Sequence, residues 1–220
     1  MQYPTTDDWR SATVLGLSNR FGSGGQMIRF EYLAIFYGII VGLALGNVAS
    51  SVHMLLEAGK RVRWHWMAPL NAAGVTLATL GTFWAWWTGR TAADSPTIFL
   101  QLLPGSVASL LLYIICATTL PDAVPETGID LREFYFSSRR RFWTLQVVYF
   151  TLRLFQVGLG IALSGFDPQV VGPVLPLLIG AGANILIAAS LIYVRAPWWN
   201  GFCICLGFVG PLLVFGPMRV

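Results

Sequence analysis

The chain has 220 residues, of which 55% are hydrophobic and 11% are charged. Because soluble domains carry charge on about 25% of their residues, this chain has too little polar surface for a stable fold in water. Its net charge of +4 comes from basic residues beside apolar stretches, a pattern that membrane topology produces. We therefore exclude nucleic acid as a partner and expect a lipid bilayer with anionic headgroups.

Six apolar stretches each have the roughly 20 residues that a helix needs to cross a hydrocarbon core about 30 Å thick. We predict an all-α fold, a polytopic transmembrane helical bundle at residues 30–220, preceded by a polar N-terminal arm at residues 1–29. The remaining sequence leaves no room for a separate soluble domain. The predicted spans are 32–56, 64–87, 97–120, 142–163, 170–194 and 197–216.

The first span carries small residues at every fourth position, namely Gly38, Gly42, Gly46 and Ser50. Small side chains at this spacing let two helix backbones approach closely within a membrane. The spacing predicts a helix-packing face. The neighbouring helix could belong to the same chain or to a second copy.

At the inner end of the first span, His53 and Glu57 are four residues apart and share a helix face. With His65 at the start of the second span, they are candidates for a proton relay, a pH sensor or a metal site. In the simpler alternative, Glu57 neutralises Lys60 or Arg61 at the interface and His53 donates a hydrogen bond across helices.

The longest predicted loop, residues 121–141, has a readable local structure. Pro121 and Pro125 end the third span, and Asp130 followed by Glu133 is typical of a helix N-cap with its capping-box partner. We predict a short interfacial linker helix at residues 131–138. It either lies at the membrane surface as a linker or forms a docking surface for a cytoplasmic partner.

Two motifs carry a resemblance to a known group of proteins. These are DLREFYFSSRRRFW at residues 130–143 and RVRWHW at residues 61–66. The chain resembles uncharacterised bacterial multi-pass membrane proteins. The resemblance implies a multi-pass architecture in the bacterial inner membrane, and it implies no activity.

Arg153 lies near the middle of the fourth span. A charge at the bilayer centre costs roughly 2.5 to 3.5 kcal/mol on insertion scales, so it normally faces a protein interior or a wet cavity. Gln146, Tyr149, Gln156 and Gly160 fall on the same side of the helix as Arg153, which predicts a polar stripe that faces inward.

No acidic residue lies deep in any predicted span, so the expected partners of Arg153 are amides and a hydroxyl on other spans. Arg153 then either binds an anionic solute or holds backbone carbonyls at a kink. We expect Arg153, Asn184, Asn47, Gln146 and Gln156 to line a ligand or ion path. The other candidate partners are Asn71, Thr76 and Gln101.

Basic residues also predict the orientation of the chain. Three loops, at about 57–63, 121–141 and 195–196, hold eight Lys and Arg residues, and the opposite side holds five. Because cytoplasmic loops carry an excess of Lys and Arg, we expect these loops in the cytoplasm and both termini outside. Three spans before the long loop and three after it could form an inverted pair.

The sequence contains no HExxH, GxSxG, P-loop or DxxD motif, so it does not indicate an enzyme, and we expect no cofactor. Our first hypothesis is passage of an ion or small, possibly anionic solute through an oligomeric or inverted-repeat bundle. Two alternatives stay open. One is a non-catalytic accessory, sensor or scaffold subunit of a membrane complex, and the other is a membrane enzyme acting on lipid or quinone headgroups.

Overall fold

The computed structural model describes residues 34–88, 98–163, 165 and 168–215, so the predicted N-terminal arm lies outside the described residues. The described part is mostly helical, which confirms the all-α fold. Its six long helices are α1 (Ala34–Arg61), α2 (Met67–Thr88), α3 (Ile98–Ala117), α4 (Leu131–Leu163), α5 (Pro168–Tyr193) and α6 (Pro197–Phe215).

Each predicted span overlaps one helix, and local chemistry explains two of the helix starts. Pro168 and Pro197 are the first residues of α5 and α6, where proline costs no hydrogen bond because the first N–H groups of a helix have no intrahelical acceptor. The last turn of α1, Gly59–Arg61, is a 3₁₀ turn. Pro104 lies inside α3 and does not end it.

Two of the described helices are long and apolar enough to cross a membrane by length and composition, namely Ala34–Arg61 and Leu131–Leu163. Two shorter apolar helical segments, Leu103–Ala117 and Leu178–Tyr193, accompany them. The six-span arrangement therefore stays a prediction.

The predicted short linker helix is wrong as a separate element. It and the fourth span form one continuous helix of 33 residues, α4. Nothing between residues 138 and 142 breaks a helix, because the three intervening arginines have high helix propensity. The predicted N-cap is confirmed, since Oδ1 of Asp130 accepts hydrogen bonds from the backbone N–H groups of Arg132 at 2.8 Å and Glu133 at 3.4 Å.

A short parallel ladder joins two of the basic loops. Strand β1 (Val62–Arg63) pairs with strand β2 (Ile129–Asp130), with Val62 opposite Ile129. Gly128 precedes β2 with a φ of 87°, and a Cβ at this position would lie 2.5 Å from the carbonyl oxygen of Arg61. Only glycine fits this close approach without strain.

The third basic loop reaches the same end of the bundle. The guanidinium of Arg139, in α4, donates hydrogen bonds to the carbonyls of Ile192 and Val194, where α5 ends. Trp66, which precedes α2, lies against Gly201 of α6. The three basic loops therefore lie together at one end of the described bundle.

The core runs between the helices and contains Leu55, Ile115, Leu131 and Leu191, all of them fully buried. Helix α4 packs against α5 and α3, and α2 packs against α6. Many large apolar side chains point away from this core, with Leu186 73% exposed. Extended exposed apolar surface marks contact with a membrane or another protein.

Candidate functional site: an interior polar network around Arg153

Arg153 lies 22 residues into α4 and is half-buried. Its Nη1 donates a hydrogen bond to Oε1 of Gln156, three residues along the same helix, at 2.8 Å. Residues three apart lie on one helix face, so this bond holds the two polar ends together. Arg153 and Gln156 were both predicted as site residues, and the structure brings them into contact.

Two further helices meet α4 at this point. The hydroxyl of Tyr37, in α1, lies close to the side chain of Ser106, in α3, and within electrostatic range of Arg153. Gly105 makes the approach possible, because a Cβ there would lie 2.7 Å from the Tyr37 hydroxyl and 3.1 Å from Nε2 of Gln156. We call Tyr37, Ser106, Arg153 and Gln156 the interior polar network.

The polar stripe of α4 continues toward α2. The hydroxyls of Tyr149 and Thr82 lie 3.4 Å apart, within hydrogen-bond distance. Tyr149 is buried, and it is four residues before Arg153 on the same helix face. The stripe therefore faces α1, α2 and α3 rather than the outside of the bundle.

The network has a single cation, the guanidinium of Arg153. A guanidinium has five N–H donors and no acceptor. Among the described residues, Arg153 donates to the single amide oxygen of Gln156, and no described carboxylate forms an ion pair with it. A guanidinium without a carboxylate partner keeps donors for water, carbonyl oxygens or an anion.

Three other predicted path residues are placed differently. Asn184 is exposed, and its Nδ2 donates to the carbonyl of Gly180 in the same helix at 2.8 Å. That bond to the preceding turn satisfies the amide locally, so Asn184 does not join the network. Asn47 and Gln146 are half-buried on α1 and α4.

The candidate proton or metal residues do not converge. His53 and Glu57 are exposed on α1, whereas His65 is half-buried before α2 and stacked on Trp66 with ring centroids 6.0 Å apart. Nδ1 of His65 is buried without a hydrogen-bond partner in the described residues, and the ring lies within electrostatic range of Asp130. The described residues contain no group of three His, Cys, Asp or Glu that could hold a metal ion.

The small-residue face of α1 points away from the other described helices. Gly42, Gly46 and Ser50 are exposed, and a Cβ built on Gly38, Gly42 or Gly46 meets no described atom within 4 Å. No described residue therefore covers this face, and packing against another part of the same chain stays a prediction. Packing against a second copy stays a prediction.

Sequence reasoning missed a second polar cluster, which ties α4 to α6. Asn200 is fully buried, its Oδ1 accepts a hydrogen bond from the Tyr135 hydroxyl at 3.0 Å, and Nε1 of Trp143 lies 3.4 Å from the same hydroxyl. Nδ2 of Asn200 donates to the carbonyls of Val194 and Ala196. The available signal was an asparagine within an apolar stretch, the same kind of signal that identified Arg153.

Comparison with known proteins does not identify a family for the chain. No protein-family model, no curated protein and no solved structure matches the chain.

Proposed function

We propose that the chain is an integral membrane protein that passes a small anionic solute through its helical bundle by way of the interior polar network. The observation that carries the proposal is Arg153, a half-buried cation within an apolar helix with no carboxylate partner among the described residues. Such residues in membrane helices mark ion and substrate paths.

The surroundings of Arg153 fit transient binding of an anion. Tyr37 and Ser106 supply hydroxyl groups from two other helices, and Gln156 supplies an amide. A planar guanidinium can offer paired N–H groups to a carboxylate or phosphate, and the neutral neighbours do not compete by charge. Conduction needs binding that is favourable enough for entry and weak enough for release.

The test is anion flux in vesicles that contain the purified full chain, with chloride, acetate and inorganic phosphate as probes. We expect Arg153→Ala to reduce flux of the favoured anion by about tenfold or more, since a hydrogen bond to a charged group contributes about 1.5 to 3 kcal/mol. Arg153→Lys keeps the charge without the planar fork and should retain intermediate flux.

Arg141→Ala is the matched control, because Arg141 is an exposed arginine on the same helix. It removes the same charge at the membrane surface and should leave flux within about twofold, since exposed charges contribute little. Equal flux in wild type and Arg153→Ala, or wild-type flux no higher than in protein-free vesicles, refutes the proposal.

One observation favours the accessory-subunit alternative as a second candidate. The Arg153 bond to Gln156 ends on a side-chain amide of its own helix, which is also what a structural arginine does. Under this proposal, Arg153→Ala lowers the melting temperature without a flux defect, and gentle-detergent purification recovers a defined membrane partner. Recovery of this chain alone counts against it.

A further inference from the structure

A groove opens at the basic end of the bundle, between the first turns of α4 and the end of α5. It has a volume of about 460 Å³. Its charged lining comes from Arg139, Arg140 and Arg195, and its apolar lining includes Phe136 and Ile192. We call this feature the arginine groove.

Arg139 forms the fixed base of the arginine groove. It is only 5% exposed, and its Nη atoms donate to the carbonyls of Ile192 and Val194. These carbonyls lie at the negative end of the α5 helix dipole, which holds a cation in place. Nε of Arg139 is buried and has no hydrogen-bond partner in the described residues.

Arg140 and Arg195 are exposed and lie within electrostatic range of Arg139. None of the three arginines forms an ion pair with a described carboxylate. Three like charges around one groove repel each other, and a bound anion reduces that repulsion. Arginine donors also match the oxygens of a phosphate better than lysine does.

The position of the groove along the bundle favours a lipid phosphate over a free phosphate in solution. Arg140 is two residues before Phe142, where the apolar part of α4 begins. The amphipathic rings of Tyr193 and Trp198 nearby are 78% and 73% exposed, and such rings concentrate at the membrane–water interface. The groove therefore lies at the depth of lipid phosphates.

We propose that the arginine groove binds the phosphate of an anionic phospholipid, with Arg140 and Arg195 as its direct donors. Arg139 holds a buried positive charge at the base, and Phe136 and Ile192 contact the apolar part of the lipid. The inference rests on the membrane placement proposed above but is independent of solute passage through the Arg153 network. Inorganic phosphate shares the recognised chemistry and is distinguished in the test.

The test measures binding of acyl-labelled phosphatidylglycerol to the purified full chain in zwitterionic detergent. The groove variant is the pair Arg140→Gln and Arg195→Gln, and the control variant is the pair Arg132→Gln and Arg141→Gln. All four side chains are exposed, and both pairs remove two charges from the same end of the bundle. Neither control residue lines the groove.

We expect the groove pair to weaken phosphatidylglycerol binding by about thirtyfold, or about fivefold for each arginine that contacts the phosphate directly. The control pair should bind within about threefold of wild type. Equal weakening by both pairs, or no preference of the wild type for phosphatidylglycerol over phosphatidylcholine, overturns the proposal.

Two further measurements distinguish a lipid site from a free-phosphate site, and a failed groove from a failed membrane placement. Displacement of the labelled lipid by inorganic phosphate, at ionic strength matched with chloride, overturns the lipid assignment in favour of a free phosphate. Resistance of each preparation to alkaline carbonate extraction measures membrane insertion by itself. If the chain resists extraction and the groove pair binds phosphatidylglycerol as tightly as wild type, the lipid site in the groove is overturned and the membrane placement stands. If carbonate extracts the wild-type chain, the membrane placement itself is overturned.

Discussion

The hydroxyl of Tyr135, in α4, donates a hydrogen bond to Oδ1 of Asn200, in α6, and both side chains are buried. The same asparagine donates from Nδ2 to the carbonyls of Val194 and Ala196, in the turn between α5 and α6. One amide therefore joins α4, α6 and the turn between α5 and α6 at the basic end of the bundle.

We expect Asn200→Ala to destabilise the folded state by about 3 kcal/mol, because buried donors and acceptors that lose their partners cost about 1 to 3 kcal/mol each. The measurement is thermal unfolding in mild detergent. Asn184→Ala is the matched control, since Asn184 is exposed and, among the described residues, its side chain bonds within α5. Equal melting temperatures of the two variants would contradict the buried network.

Substitution of Gly105 tests the contact between α1, α3 and α4. We expect Gly105→Ala to destabilise the protein by about 1 to 3 kcal/mol, since the new methyl group would lie 2.7 Å from the Tyr37 hydroxyl. Gly158→Ala, where a Cβ meets no described atom within 4 Å, should be neutral or slightly stabilising. Thermal unfolding measures both.

Tyr37→Phe provides the rescue for this experiment. Removal of the hydroxyl relieves the nearest clash, so Gly105→Ala should cost less stability in the Tyr37→Phe background than in the wild type. Costs that simply add would mean that the two residues do not touch, because independent sites are additive.

Acidification tests the cap of α4. Hydrogen bonds from the backbone N–H of Arg132 and then of Glu133 lower the pKa of Asp130, and the charges of Arg63 and His65 lower it further. Because the folded-state pKa lies below the unfolded value of about 4, the charged cap stabilises the fold above that pH. This stabilisation is lost as the pH falls through the folded-state pKa.

Asp130→Asn keeps an N-capping side chain and removes the titrating charge. We expect its melting temperature to lie below that of wild type near neutral pH, and the two curves to converge over the pH range below the unfolded value of about 4. A constant gap between them across this range would show that the carboxylate charge plays no part.

The ladder between β1 and β2 depends on Gly128. We expect Gly128→Ala to destabilise the protein by about 2 kcal/mol, from a φ of 87° and a Cβ only 2.5 Å from the carbonyl oxygen of Arg61. Gly59→Ala separates the two causes, since Gly59 also has a positive φ but has open space around it. Gly59→Ala should therefore lower the stability by only about 1 kcal/mol. Thermal unfolding measures both variants.

Features that depend on neighbouring residues in the chain were predictable. Long apolar runs mark the helices, and their ends match to within a few residues except at the start of α4. The Asp130 cap was also predictable, because a side chain and N–H groups two and three residues away satisfy each other locally. Continuity of α4 across its arginines was missed, because charge was taken as a boundary although arginine favours helices.

By itself the sequence determined an all-α chain of long apolar helices, a polar stripe around Arg153 and a basic end. Tertiary structure alone decided that Tyr37 and Ser106 meet that stripe, that Asn200 bonds Tyr135, and that Arg139 is buried while Arg140 is exposed. Helix periodicity places a residue on a face, but which helix covers that face depends on packing between segments far apart in sequence. The chain's charges were visible in its sequence, and their partners became visible only once the helices were assembled.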